Sequence, residues 1–217
     1  SLDDMLRFAR FQLGNGMAGS RSLLGVETLR RTRSPLGPGG TVPGEGEIII
    51  DNIGVAWMIW QRDGARIVSH SGGTNGQMST FVFVPERDFA MSLLTNAMSG
   101  ILLAFELTDW TLERVLGLRR SPLEVISATK APISEYAGGY ALPDGSLAID
   151  VGEASDGFQI TWETPDRPAG TSPLQVVGVD LVTMRYMGAD LLADFVRDGD
   201  GEIAWIRFLG RLVPRAA

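Results

Sequence analysis

The chain has 217 residues, enough for one large domain or two small ones, and 44% of them are hydrophobic. Its 26 acidic and 19 basic residues give a net charge of −7, so the whole chain lacks the basic footprint of a nucleic-acid-binding protein. With one histidine and no cysteine we predict no metal site, no cofactor and no disulfide, and no apolar run reaches the ~18 residues that a membrane span needs.

The first residues predict two helices and a loop. Ser1 and Asp4 form a capping box at the start of a helix over 3–13, and a second helix is predicted at 26–32. The stretch 34–44 is rich in glycine and proline, which predicts a loop without regular structure. It does not have the Gly-Lys-Ser/Thr ending of a phosphate-binding loop.

Between residues 46 and 96, apolar and polar residues alternate as they do in β-strands. We predict a strand over 53–61, a tight turn at Asp63-Gly64 and a strand over 65–70. A second hairpin is predicted to pair 77–84 with 89–95. These antiparallel strands form the sheet of an α+β layer.

One helix is predicted over 98–116, ending at Gly117 and packing on the back of this sheet. Its apolar residues fall largely on one side of the helix: Ile101, Leu102, Phe105, Leu112 and Val115.

The histidine opens a glycine-rich run that is predicted to lie between two strands. Glycine lets a ligand approach the backbone closely, so the run suits a site where a substrate backbone or carboxylate lies along a strand. Composition alone equally allows a tight turn with the histidine on the surface. The run comprises His70, Ser71, Gly72, Gly73, Thr74, Asn75 and Gly76.

This run resembles the third motif of the serine β-lactamases and penicillin-binding proteins, in the His-Ser-Gly-Gly-Thr form of class C-like esterases and D-aminopeptidases. The resemblance covers residues 1 to about 118 in unbroken order, as the C-terminal part of a β-lactamase/transpeptidase-like domain. The segments that carry it are Asp3 to Phe8, Leu24 to Leu29, Ile53 to Trp57, Val84 to Arg87 and Leu94 to Asn96.

The resemblance implies roles for the residues of the run. His70 would place a hydrogen-bond donor near the substrate carboxylate or a catalytic tyrosine, and Ser71 would offer its hydroxyl to the same groups. The N–H of Gly73 would supply half of the oxyanion hole. Substrate-binding residues implied in the same way are Gly72, which keeps the strand thin, Thr74 and Asn75. Histidine in place of lysine favours an esterase or D-amino-acid amidase or peptidase, with a small ester, amide or D-peptide as substrate.

The family nucleophile, in Ser-x-x-Lys, and its Tyr-x-Asn motif are both missing before His70. The single Ser-x-x-Lys, Ser127 to Lys130, follows the third motif between Pro122 and Pro132, and we interpret it as a chance match. We therefore expect a C-terminal fragment, inactive alone, whose partner is the missing N-terminal part of the catalytic domain. Any signal peptide would lie upstream, so the compartment stays open between periplasm and cytoplasm.

Two alternatives remain at this stage. The chain could be a non-catalytic ligand-binding protein, or a C-terminal subunit that completes an active site in trans. Because the fragment lacks strands from the start of its domain, we expect an uncovered sheet edge, an exposed apolar face and self-association.

After a linker predicted over 119–133, the chain is predicted to be all β from 134 to 217, with turn signals at regular intervals. Apolar residues in this region suit a small barrel filled with side chains, among them Phe158, Ile160, Trp162, Ile203, Trp205 and Phe208. Its opening and closing segments resemble the lipocalin-like β domain appended to many family esterases and peptidases. Asp198-Gly199-Asp200-Gly201 is predicted to be a hairpin turn rather than a calcium loop.

Overall fold

The chain divides into two compact units, one of Ser1–Gly40 with Ile49–Ser121 and one of Thr41–Ile48 with Pro122–Ala217. The structure is a computed structural model, and each unit is described by itself. The described residues are 1–14, 16–41, 49–74, 76–120, 133–155, 157–186 and 188–216.

Three of the four helices in the described residues follow the sequence patterns closely, and the fourth, at residues 133–136, lies where the sequence predicts the end of a linker and the start of an all-β region. Both bonds of the capping box between Ser1 and Asp4 are present, and the last helix ends at Gly117 in the left-handed conformation, with φ of 71°. The helices are α1 Leu2–Leu13, α2 Val26–Thr32, α3 Gly100–Leu116 and α4 Ile133–Tyr136, with a 3-10 turn at Pro85–Arg87.

The first unit contains a two-stranded ribbon and most of a six-stranded sheet in the order β3-β4-β5-β6-β7-β8. Both hairpins predicted from the sequence are present, and Asp63 and Gly64 have the positive φ values, 49° and 73°, of a two-residue hairpin turn. The strands are β1 Met17–Ala18, β2 Arg21–Ser22, β3 Gly37–Thr41, β4 Ile49–Ile53, β5 Met58–Arg62, β6 Ala65–Thr74, β7 Gln77–Val84 and β8 Phe89–Thr95.

Two predictions in this region are wrong. The predicted loop 34–44 contains β3, because Gly39 lets that strand lie against β4, where a Cβ would overlap the carbonyl of Ile50. The predicted strand 53–61 is broken by a turn between Gly54 and Trp57, with Ala56 at φ of 58°, so that Ile53 ends β4 and β5 begins at Met58.

Helices cover both faces of the sheet. On one face, Ala9 of α1 belongs to the same buried cluster as Val68 and Phe83. On the other, α3 packs on β7 and β8, and its Asp109 pairs with the buried Arg62 at 2.6 Å. Because Arg62 lies directly opposite Ala65, it shares the face of the odd-numbered residues of β6, whereas Val68 lies on the even-numbered face.

The apolar side predicted for α3 is partly wrong. Leu112 is fully buried, but Val115 is 57% exposed. The buried positions form a single row spaced by four residues: Gly100, Ala104, Thr108 and Leu112.

The second unit is a small all-β barrel, so the two units together confirm the prediction of an α+β sheet layer followed by such a barrel. Its strands form an eight-stranded antiparallel meander, nearly closed by a bridge between Tyr140 and Arg215 and by the Ala216 N–H bonded to the Gly139 carbonyl at 2.8 Å. The strands are β9 Gly138–Ala141, β10 Ala148–Ala154, β11 Gly157–Thr164, β12 Arg167–Gly178, β13 Leu181–Tyr186, β14 Ala189–Arg197, β15 Ile203–Phe208 and β16 Arg211–Pro214.

Side chains fill the barrel. Tyr136 stacks on Phe195 with ring centroids 4.3 Å apart, and both rings lie in the buried core. Trp205 was predicted to line the interior of the barrel but is not buried in it, and its neighbour Ile206 is buried instead. The pairing of β14 with β15 shifts by one residue between Val196 and Arg197. This shift changes which residues of β15 point into the barrel.

A polar network lies beside the ring of Tyr136. Arg197 donates to both carboxylate oxygens of Asp180 at 2.8 Å, Asp180 accepts from the Tyr136 hydroxyl at 3.1 Å, and Glu135 also pairs with Arg197. The hydrogen bonds from Arg197 hold the pKa of Asp180 below its usual value, against the opposing effect of burial.

Asp198 forms a hairpin turn, as predicted. Its side-chain oxygen accepts bonds from the Asp200 and Glu202 backbone N–H groups between β14 and β15. Elsewhere, no helix in the described part of the chain is long and apolar enough to span a membrane.

The charge is unevenly divided. Residues 133–217 contain 13 acidic and six basic residues, whereas residues 1–132 contain 13 of each, so the whole net charge of −7 belongs to the barrel half of the sequence.

Candidate functional site

Residues 70–74 of the glycine-rich run lie within β6, so the tight turn of the alternative interpretation is wrong for them, although His70 is on the surface as that alternative expects. On one side β6 pairs with β7 to its last residue, Thr74 opposite Gln77. On the other side β5 pairs only as far as Met58 opposite Ser69. Residues 70–74 therefore extend beyond β5, and in the described part of the chain no strand pairs with them on that side, which we call the open edge.

The register decides which backbone groups point to this open edge. In a two-residue hairpin the residues that flank the turn exchange both hydrogen bonds, and such pairs then alternate along the ladder. Starting from Arg62 opposite Ala65, Ser69 is the last residue of β6 to bond with β5. The N–H and C=O groups of Ser71 and Gly73 point to the same side of β6 as those of Ser69. At Ser71 and Gly73, however, that side lies beyond the first residue of β5.

The side chains of the run alternate between the two faces of the sheet. His70 shares the face of α1 and is exposed. Ser71 is half-buried on the opposite face, two residues beyond Ser69, whose hydroxyl accepts a bond from Trp60 Nε1 at 3.1 Å. His70 and Ser71 can therefore meet a common ligand only at the open edge.

The two glycines keep this part of the strand bare. A Cβ on Gly72 would lie 2.9 Å from Ser79 Oγ, and one on Gly73 would lie 3.0 Å from Met78 Sδ. Both glycines are exposed, so a ligand at the edge can reach the backbone without meeting a β6 side chain.

The structure describes one of the two remaining predicted residues. Thr74 is exposed at the end of β6. Asn75 lies outside the described residues, as does the Ser-x-x-Lys match from Ser127 to Lys130.

Aromatic residues surround His70 on its face of the sheet, and the sequence interpretation missed them. Phe81 lies directly opposite His70 on β7, and continuing the β5–β6 register by one residue places Trp57 opposite it on the other side. The rings of Trp57 and Phe81 are 5.9 Å apart, and Phe8 of α1 lies 6.1 and 5.8 Å from them. The Asp63-Gly64 turn fixes the register that places Trp57 beside His70, whereas Phe81 follows only from the pairing of β6 with β7, which the sequence did not predict.

The rest of the described surface has no comparable candidate site. Nowhere in the described residues do three or more His, Asp or Glu side chains come together as a metal site would require. A cleft lined by Gln61, Asp63, Arg66 and Glu86 lies at the other end of β6, beside the Asp63-Gly64 turn.

Comparisons with known proteins agree with the fold. Residues 1–115 match the family model described as Beta-lactamase. Comparison with curated protein sequences gives no significant match.

Two crystal structures of SurE, one of them with D-Leu, resemble the whole chain, with TM-scores of 0.69 and 0.68 at 23% and 22% identity. All of this chain aligns with 50% and 48% of those chains, so it spans about half their length. An octameric penicillin-binding protein homologue from Pyrococcus abyssi aligns over 91% of this chain and 43% of its own, at 18% identity and a TM-score of 0.45.

Proposed function

Because this chain belongs to the beta-lactamase family, in which residues 1–115 match, we propose that it supplies the third-motif strand of a serine hydrolase. The reaction is acyl transfer from a small ester, amide or D-peptide to a serine, followed by hydrolysis. The serine and its lysine lie outside these 217 residues, in a preceding part of the catalytic domain. The match to half of each SurE chain is compatible with such a missing part.

The open edge of β6 is the observation that supports this proposal most strongly. Gly73 directs its N–H to the side of the strand that β5 leaves uncovered, and no Cβ shields it. A tetrahedral oxyanion placed there would accept this bond, and one oxyanion-hole donor contributes about 3 kcal/mol to transition-state stabilisation.

His70 and Ser71 then bind and orient the substrate at the same edge, and neither attacks the carbonyl. In the proposed reaction the serine oxygen adds to the carbonyl, the leaving alcohol or amine departs with a proton, and water releases the acid. Histidine rather than lysine at position 70 supports an esterase or D-amino-acid amidase or peptidase. The neighbouring SurE structure with D-Leu supports a substrate of the D-amino-acid class.

Trapping of the acyl-enzyme tests the proposal. A fluorophosphonate probe added to the polypeptide that includes the preceding Ser-x-x-Lys should label that serine, as located by mass spectrometry. Gly73→Pro should slow the labelling, because it removes the N–H. An unlabelled serine, or an unchanged labelling rate in Gly73→Pro, would contradict the proposal.

The same experiment addresses the alternative of an active site completed in trans. If the reading frame stops short of a Ser-x-x-Lys, and adding a separate N-terminal chain restores labelling, the chain is a subunit and not a fragment.

A further inference from the structure

Phe8 is an apolar side chain in an unusual position. Its ring stacks on Phe11 and on Trp57, with centroids 6.1 Å away in both cases, yet 40% of the residue is exposed. The two rings it covers on the sheet, Trp57 and Phe81, are only 8% and 4% exposed. Phe8 is therefore the exposed ring of an aromatic cluster whose rings on the sheet are buried.

This cluster lies at one end of the open edge. Trp57 and Phe81 flank His70 on either side, and Trp57 immediately precedes β5. The uncovered stretch of β6 thus begins beside aromatic rings at His70 and runs to the exposed backbone at Gly73. Three residues of strand separate the two ends, a distance of about 10 Å.

From this arrangement, and resting on the proposed function, we infer that Phe8 and the rings beneath it bind an extended apolar group of the substrate. A substrate whose carbonyl lies at the Gly73 N–H would reach the rings with an acyl chain of about eight carbons, or with an apolar side chain of a peptide lying along the strand. The site is then selective for long apolar acyl groups over acetyl.

The chemistry of the cluster accounts for this selectivity. Removing apolar area from water is favourable at about 25 cal/mol per Å², and an exposed ring above buried rings offers such area without any rearrangement of the core. His70 adds a polar group at the border of the apolar surface. That combination fits a ligand with an apolar tail and a polar backbone.

Binding can be measured on this chain without any catalysis. His70 is the only histidine, so its imidazole signals in a ¹H–¹⁵N NMR spectrum need no assignment. Octanamide should shift these signals with a saturable curve, whereas acetamide at the same concentration should not. Phe8→Ala should weaken the binding of octanamide by about tenfold, the effect of losing part of one apolar contact.

Trp110→Ala is the matched control, because this aromatic residue is also on a helix and 57% exposed but lies on α3, across the sheet. It should bind octanamide as the wild type does. If Phe8→Ala fails to fold, Phe8→Gln keeps the helix and removes the ring. Equal shifts with the two amides, or an unchanged affinity in a folded Phe8 variant, would overturn the inference.

A kinetic measurement separates this inference from the proposed function. In the enzyme that includes the nucleophile, the ratio of kcat/KM for p-nitrophenyl octanoate to that for p-nitrophenyl acetate should fall about tenfold in Phe8→Ala. A wild-type enzyme whose serine is not labelled by the fluorophosphonate probe refutes the proposed function, and the binding measurement still decides the role of Phe8.

Discussion

His70 and Gly73 lie three residues apart on β6 and present different groups in different directions. Gly73 contributes its backbone N–H, whereas His70 contributes a side chain on the face of α1. Their substitutions should therefore have different consequences, and neither residue is needed for the core, since both are exposed.

In the enzyme that contains the nucleophile, we expect His70→Ala to lower kcat/KM by about 10-fold to 1000-fold, the effect of losing a positioning or stabilising group. Gly73→Pro should lower it further, because proline has no N–H. Its fold should be retained, since Gly73 does not use that N–H to bond with β7. Steady-state kinetics with circular dichroism as the folding control would measure this, and wild-type kinetics in either variant would exclude the run from the site.

Asp180 gives a prediction on stability. Its bonds from Arg197 stabilise the barrel, and Asp180→Asn should lower the free energy of unfolding by about 2 kcal/mol at pH 7. Because folding lowers the pKa of Asp180, this stabilisation is complete above the unfolded pKa of about 3.9. It is lost as the pH falls through the folded value.

Urea denaturation of the two proteins between pH 7 and pH 2.5 would measure this difference. Asp190→Asn is the control, because the pair of Asp190 with Arg185 is mostly exposed and such pairs contribute at most about 1 kcal/mol. A difference between wild type and Asp180→Asn that does not shrink at low pH would contradict this explanation.

Elements with local signals could be predicted from the sequence, and those that depend on distant contacts could not. The capping box and the Asp63-Gly64 turn are local signals, and from them α1 and the β5–β6 hairpin could be predicted. β3 depends on how closely Gly39 approaches β4, and the aromatic cluster at His70 depends on pairing across three strands. The residue types of the His70 run were enough to predict a site there. The open edge beside it could not be predicted, because it depends on where β5 begins.

The buried row of α3 predicts a sensitive position at its start. A Cβ on Gly100 would overlap the side chain of Thr95 at the end of β8. We expect Gly100→Ala to destabilise the first unit by about 1–3 kcal/mol through overpacking, despite the better helix propensity of alanine. Glu113→Ala, on the exposed side of the same helix, should be close to neutral. Thermal unfolding would compare them, and a more stable Gly100→Ala would show that α3 can shift away from β8.

At the scale of the whole molecule, we predict that the 217-residue chain alone has no hydrolase activity. It should turn over neither a chromogenic cephalosporin nor a p-nitrophenyl ester above background. Turnover abolished by Ser127→Ala would make Ser127 the nucleophile, with Lys130 as its partner.

We also predict that the chain self-associates. Leu103 and Trp110 on α3 are 49% and 57% exposed, Leu2 and Leu6 on α1 are 46% and 41% exposed, and β8 is the outermost strand of its sheet. Sedimentation equilibrium at low micromolar concentration should give a mass above 23.4 kDa, and Trp110→Glu should lower it. A strict monomer, with uniform hydrogen-exchange protection across the first unit, would contradict this prediction.

The closure of the barrel has a consequence for its engineering. Because β9 and β16 are neighbours, joined by the bond from Ala216 to Gly139, the two ends of this meander lie side by side. A short glycine linker between them would allow circular permutation, with new termini at the exposed turn around Gly199. The permuted barrel should keep all eight strands in the same spatial order while changing which hairpin is synthesised first.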